Sequence, residues 1–230
     1  ESGLYECSVE MAYVRQAASG AIGVVIWLKE LQSDRRVTET HWVQSGNAKG
    51  NKNYYERNGK KHFLPGYNHV NALARLSIGE DLPNLVEENK IVKIYDFAQG
   101  KEVDTEVPVL TALLGARIKA GILKETVDKN EENAAGDYVP SGQTRDQNVV
   151  DKFFRAADGL TQAEIEAGLT EGAFIGPWEA KHQGVTKNSA VGVRDASLAS
   201  AGAAGSGQVA AGAPTESLFK TKAPDVAPAA

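Results

Sequence analysis

Cysteine is almost missing from this chain of 230 residues: Cys7 stands alone. A disulfide framework within the chain and a cysteine-based zinc site are thereby excluded, and a reducing compartment fits. Cys7 shares an apolar strand face with Tyr5 and Val9, so it reads as a packed thiol rather than a nucleophile. Long hydrophobic runs are lacking too. None approaches the ~20 residues that a membrane span needs, and the first residues do not follow the signal-peptide pattern. Enzyme signatures are not found. The glycines and lysine of Gly46-Asn47-Ala48-Lys49-Gly50 stand in the wrong order for a phosphate-cradling loop, and no helix is expected after them. The histidines (His41, His62, His69, His182) have no metal-binding spacing, and Glu87-Glu88 and Glu131-Glu132 read as solvated pairs. The expectation is a protein that is not an enzyme and has no cofactor and no metal.

What is present is an ordinary soluble composition, 42% hydrophobic and 24% charged, with enough length for one or two domains. The net charge of −5 is unevenly placed. Residues 1–130 hold 17 basic and 17 acidic side chains, whereas residues 131–230 hold 8 and 13, so the whole deficit lies in the second part.

Period-2 patterning dominates the first 128 residues. Leu4–Val14 alternates, with Tyr5, Cys7, Val9, Met11 and Tyr13 on one face. Ala21–Leu31 reads as a central strand and Arg36–Val43 as a third, in which Trp42 shares a face with Arg36, Thr38 and Thr40. Gln44–Asn53 is a loop by composition, and Asn58-Gly59 marks a hairpin over Tyr54–Leu64. A short helix is expected at about Asn68–Ser77 and one helical turn at Val109–Leu114. Further strands are expected at Ile91–Phe97 and Arg117–Val127. Asn130–Asn148 reads as a linker or extended arm, and Val149–Ala157 and Thr161–Ala167 as short helices, the second with a Thr161/Glu164 capping box. Trp178 and its neighbours are placed to staple this segment back onto the first. From about residue 188 the chain is Ala/Gly/Ser-rich and disorder is expected, interrupted by an apolar knot at Leu218-Phe219. The fold class is therefore mainly β with minor α: an OB-like antiparallel barrel over 1–129, an arm with short helices over 130–187, and a low-complexity tail over 188–230.

The rest is organised around residues 35–67, where seven cations stand against two carboxylates, Glu39 and Glu56. Arg35, Arg36, Lys49, Lys52, Arg57, Lys60 and Lys61 alternate there with Trp42, Tyr54, Tyr55, His62 and Phe63. Cations can track phosphates while each ring offers a face to a base, worth ~1–3 kcal/mol per stacked base. Two strands and a turn also need aromatics for a core, so some of these rings are expected to be buried. Trp27 is expected in the core and Tyr67 over the helix start.

The run SGNAKGNKNYYERNGKKHFLPGYNHVNALARLSIGEDL, followed by IVKIYDF and VPVLTALLGARIKAGIL, resembles the single-stranded DNA-binding proteins encoded by tailed phages. The resemblance covers residues 3–130 and, more loosely, FFRAADGLTQAEIEAG and GAFIGPWE. It implies an OB-fold core that coats single-stranded DNA during replication or recombination with little sequence preference, in the cytoplasm of a bacterial host. Such proteins often end in an acidic tail with an aromatic tip that recruits replication proteins. Here the end is SLFKTKAPDVAPAA, with Leu218-Phe219 as the candidate tip. No membrane partner is expected, and a homo-oligomer is compatible with the reading. The alternative is a structural or virion-associated β-barrel protein that self-associates.

Overall fold

The computed structural model describes residues 1–134, 136, 138–191 and 218–221. Three antiparallel strands begin it. β1 (Gly3–Gln16) pairs with β2 (Ile22–Glu30) from Cys7 to Gln16, and β2 pairs with β3 (Arg36–Gln44). A bulge between Val9 and Met11 reverses the parity of β1. Cys7, Val9 and Ala12 therefore face the main core, while Tyr13, with Met11 beside it, belongs to a second cluster. The single face expected for Tyr5 through Tyr13 is thus split in two. Cys7 is packed as expected; burial, with Glu30 nearby, pushes its thiol pKa up to about 12.

Beyond β3, a two-stranded ribbon of β4 (Tyr54–Arg57) and β5 (Lys60–Phe63) leads into helix α1 (Pro65–Ile78). Pro65 opens the helix at its first turn and Gly79, at φ 76°, closes it in the left-handed region. Val70, Leu73 and Ala74 recur at helical spacing and are fully buried. β6 (Val86–Asp96) and β7 (Lys101–Leu110) form a hairpin, followed by a helical turn at Thr111–Leu113 and Gly115 at φ 76°. β8 (Arg117–Glu132) pairs with β9 (Tyr138–Arg155) in the longest ladder of the fold. α2 (Gln162–Glu166) carries the expected capping box, and α3 (Ile175–His182) buries Trp178, whose indole N–H donates to Asp151 at 2.8 Å. β10 (Thr186–Asn188) joins β8 in parallel, and β11 (Lys220–Thr221) joins β6 in parallel. The expected disordered tail lies outside the described residues apart from its first few positions and 218–221, where Phe219 is buried in the main core.

Two expectations are corrected. Residues 138–155 are strand, not linker and helix, so the segment read as an arm is one half of the β8–β9 hairpin. The sheet is mainly antiparallel as expected, but it does not close into a barrel. The other edge of β1 passes from β8, over Gly3–Ser8, to β7 at Tyr13, and the ends of the sheet, β3 and β9, share no ladder. Helix α1 takes the place of that ladder. His69 stacks on His41 of β3 at 4.8 Å and meets Phe153 of β9 edge-on at 5.1 Å. Glu39 of β3 accepts from the Val150 N–H of β9 at 2.7 Å and lies 3.2 Å from His41. Burial, with His41 beside it, lowers the His69 pKa to about 4 and keeps the ring neutral.

Candidate nucleic-acid interface

The β4–β5 ribbon projects from the end of the sheet where β3 finishes. Asn58 and Gly59 both have positive φ, at 52° and 70°, the backbone that a two-residue turn requires. Across the ribbon, Tyr54 faces Phe63, Tyr55 faces His62, and Arg57 faces Lys60. Alternation then sorts the side chains. Tyr55 and His62 stack at 5.5 Å on one face, flanked by Arg57 and Lys60, and all four are exposed. On the other face Lys61 lies 4.7 Å and Lys52 5.5 Å from the Tyr54 ring, while Phe63 stacks on Tyr67 at 4.7 Å. Tyr67 is buried at the helix start, as expected, and desolvation, with Asp81 nearby, raises its pKa. Phe63 remains 51% exposed, so one of its faces is open above a fixed ring.

The Leu64-Pro65-Gly66-Tyr67 sequence fixes where this ribbon stands. A Cβ on Gly66 would lie 2.4 Å from the Trp42 carbonyl oxygen, so only glycine lets the first turn of α1 press against β3. The loop before the ribbon is pinned as well. Ser45 and Lys52 exchange hydrogen bonds at its neck, and the Asn47 N–H donates to Ser19 O at 2.8 Å, tying it to the β1–β2 turn. Lys49 stands exposed on the short helical turn 47–49.

Trp42 sits at the foot of the ribbon, 37% exposed, with the Arg15 guanidinium 5.8 Å from its ring. Arg15 was missed by sequence reasoning, because the bulge in β1 puts it on the Trp42 face. Its only local signal is that Arg15 and Trp42 both flank Gly23 in register.

Ten of the twelve residues expected in the interface, Trp42, Lys49, Lys52, Tyr54, Tyr55, Arg57, Lys60, Lys61, His62 and Phe63, lie on this end of β3, the loop or the ribbon. Arg35 and Arg36 do not join them. They stand at the far end of β3, ~20 Å from Trp42 at strand rise, and they have partners. Arg36 pairs with Glu10 and covers Trp27 at 4.7 Å, and Arg35 lies 3.8 Å from Glu30. Trp27 is half-buried under Arg36 rather than enclosed in the core.

Among the described residues no group of three or more His, Cys, Asp or Glu is placed to hold a metal ion, and no helix is long and apolar enough to cross a membrane. Comparison with family models, curated proteins and solved structures returned no match for this chain.

Proposed function

We propose that the protein binds single-stranded DNA with little sequence preference and coats it during phage DNA replication or recombination. One observation carries the reading: the exposed Tyr55–His62 stack beside the Arg57–Lys60 pair, on a ribbon whose base is pinned. Rings of this kind offer a π-face to any base, and flanking cations neutralise phosphates without reading sequence. Lys52, Lys61, Tyr54 and Phe63 extend the footprint across the ribbon, with Lys49 on the loop, and Trp42 with Arg15 continues it onto the sheet. Arg35 and Arg36 are left out of it. Leu218-Phe219 would serve as a tip for replication proteins only if Phe219 left the core, where it is 4% exposed.

The test is a fluorescence titration with a ~30-mer of oligothymidine at two salt concentrations, read on Trp42 at the foot of the ribbon. Quenching that weakens steeply as salt rises is the expected result, because each neutralised phosphate releases condensed counterion. No change in emission or anisotropy at low salt would sink the reading and leave the self-associating assembly protein.

A further inference from the structure

The β6–β7 hairpin carries a second exposed face that strand binding does not use. Ile91 is 75%, Tyr95 50% and Phe97 91% exposed, and Tyr95 and Phe97 meet edge-to-face at 5.1 Å. The Tyr95–Phe97 pair, with Ile91 further along the same side, offers an apolar surface for a partner. The register of the hairpin places Ile91 opposite Glu106, Lys93 opposite Asp104 and Tyr95 opposite Glu102, so the rings and a row of three carboxylates share one side. All three carboxylates are exposed, and only Lys93, 3.4 Å from Asp104, brings a positive charge among them. Such a face repels a phosphate backbone. It suits a partner that brings cations and flat rings together.

The chain itself carries that partner. At the tip of the β4–β5 ribbon Arg57, Lys60 and Lys61 are exposed around Asn58-Gly59, with the Tyr55 ring behind them. We infer that the ribbon tip of one copy docks on the β6–β7 face of a second, with Lys60, Lys61 and Arg57 against Glu102, Asp104 and Glu106 and the rings of both meeting at Tyr95 and Phe97. The two patches are different surfaces of one molecule. The contact is therefore heterologous and leaves each pair with one free ribbon and one free acidic face, so it propagates into short chains rather than stopping at a dimer.

The experiment uses the full chain without nucleic acid, so its outcome is independent of strand binding. Sedimentation velocity is run over a wide range of protein concentration at low and at high salt. The expected result is an average mass that climbs with concentration past that of a dimer at low salt and falls back at high salt. Lys60→Glu/Lys61→Glu and Glu102→Lys/Glu106→Lys each raise the dissociation constant by about tenfold or more, since each sets like charges face to face. An equimolar mixture of the two variants recovers the association, because each supplies the complement the other has lost. That recovery separates the contact from simple misfolding of either variant. A monomer at every concentration, association indifferent to both reversals, or no recovery in the mixture would each overturn the inference.

Discussion

The protein holds out two hairpins of opposite character, a short two-stranded ribbon and a longer pair of strands within the main sheet. The β4–β5 ribbon presents Tyr55 and Phe63 among Arg57, Lys60 and Lys61, whereas the β6–β7 hairpin presents Tyr95 and Phe97 beside Glu102, Asp104 and Glu106. Exposed rings alone would make both candidates for stacking on bases. The charges beside the rings decide, since a polyanion gains from one surface and is repelled by the other. The turns of both hairpins, at Gly59 and Gly100, stand in open space, and the basic ribbon is anchored at its base, on a helix start that only Gly66 allows.

The contrast breaks most visibly under charge reversal. Lys60→Glu/Lys61→Glu is expected to weaken oligothymidine binding roughly a hundredfold at low salt and to flatten its salt dependence by about two contacts, whereas Glu102→Lys/Glu106→Lys leaves binding no weaker. Equal losses in the two variants would mean that overall charge, not the ribbon, carries affinity.

The anchor is tested by pH. His69, which holds α1 between β3 and β9, has a folded pKa of about 4 against 6.5 for an unperturbed histidine. The unfolded chain therefore binds the proton first, so stability is lost as pH falls from about 6.5 towards 4. About 2 kcal/mol should disappear between pH 7 and pH 5 in urea titrations. His69→Gln should remove most of that slope, and a slope unchanged in the variant would show that other groups set it.

Ring by ring, Tyr55→Ala should lower oligothymidine affinity about tenfold with the salt dependence intact, and Tyr95→Ala should leave it unaltered. A titration series at several salt concentrations separates the two. The smallest effect belongs to Arg36→Ala, which should change binding less than about twofold because that guanidinium already serves Glu10 and Trp27, and its loss should show instead as about 1 kcal/mol of stability.

Much of this was legible in the sequence wherever side chains follow the simple periods. β2, β3, the Asn58-Gly59 ribbon and the buried stripe of α1 all fall where alternation or helical spacing places them. β9 was not, and the reason is local. Its ladder with β8 has an extra residue at Asp151, which brings Val150 and Phe153 onto one buried face three positions apart, the spacing of a helix. β7 was missed because Glu102, Asp104 and Glu106 fill its open side and leave only Val103, Thr105 and Val107 to suggest a strand. The cations of residues 35–67 read as one patch because a count of charges over a run ignores the length of the nine-residue strand inside it. Folding puts Arg36 and Trp42 at opposite ends and brings in Arg15 through a bulge that no composition reveals.

Phe219 has a bearing on how the molecule is made. It fills the core beside strands that left the ribosome long before it, with Lys220 in register with Val86. Until that residue emerges, a nascent chain holds a sheet with a hole in it, and the finished packing is a late event of synthesis rather than an early one. A chain cut short after β10 would carry the same vacancy permanently, at a cost of about 3–5 kcal/mol if the void does not collapse.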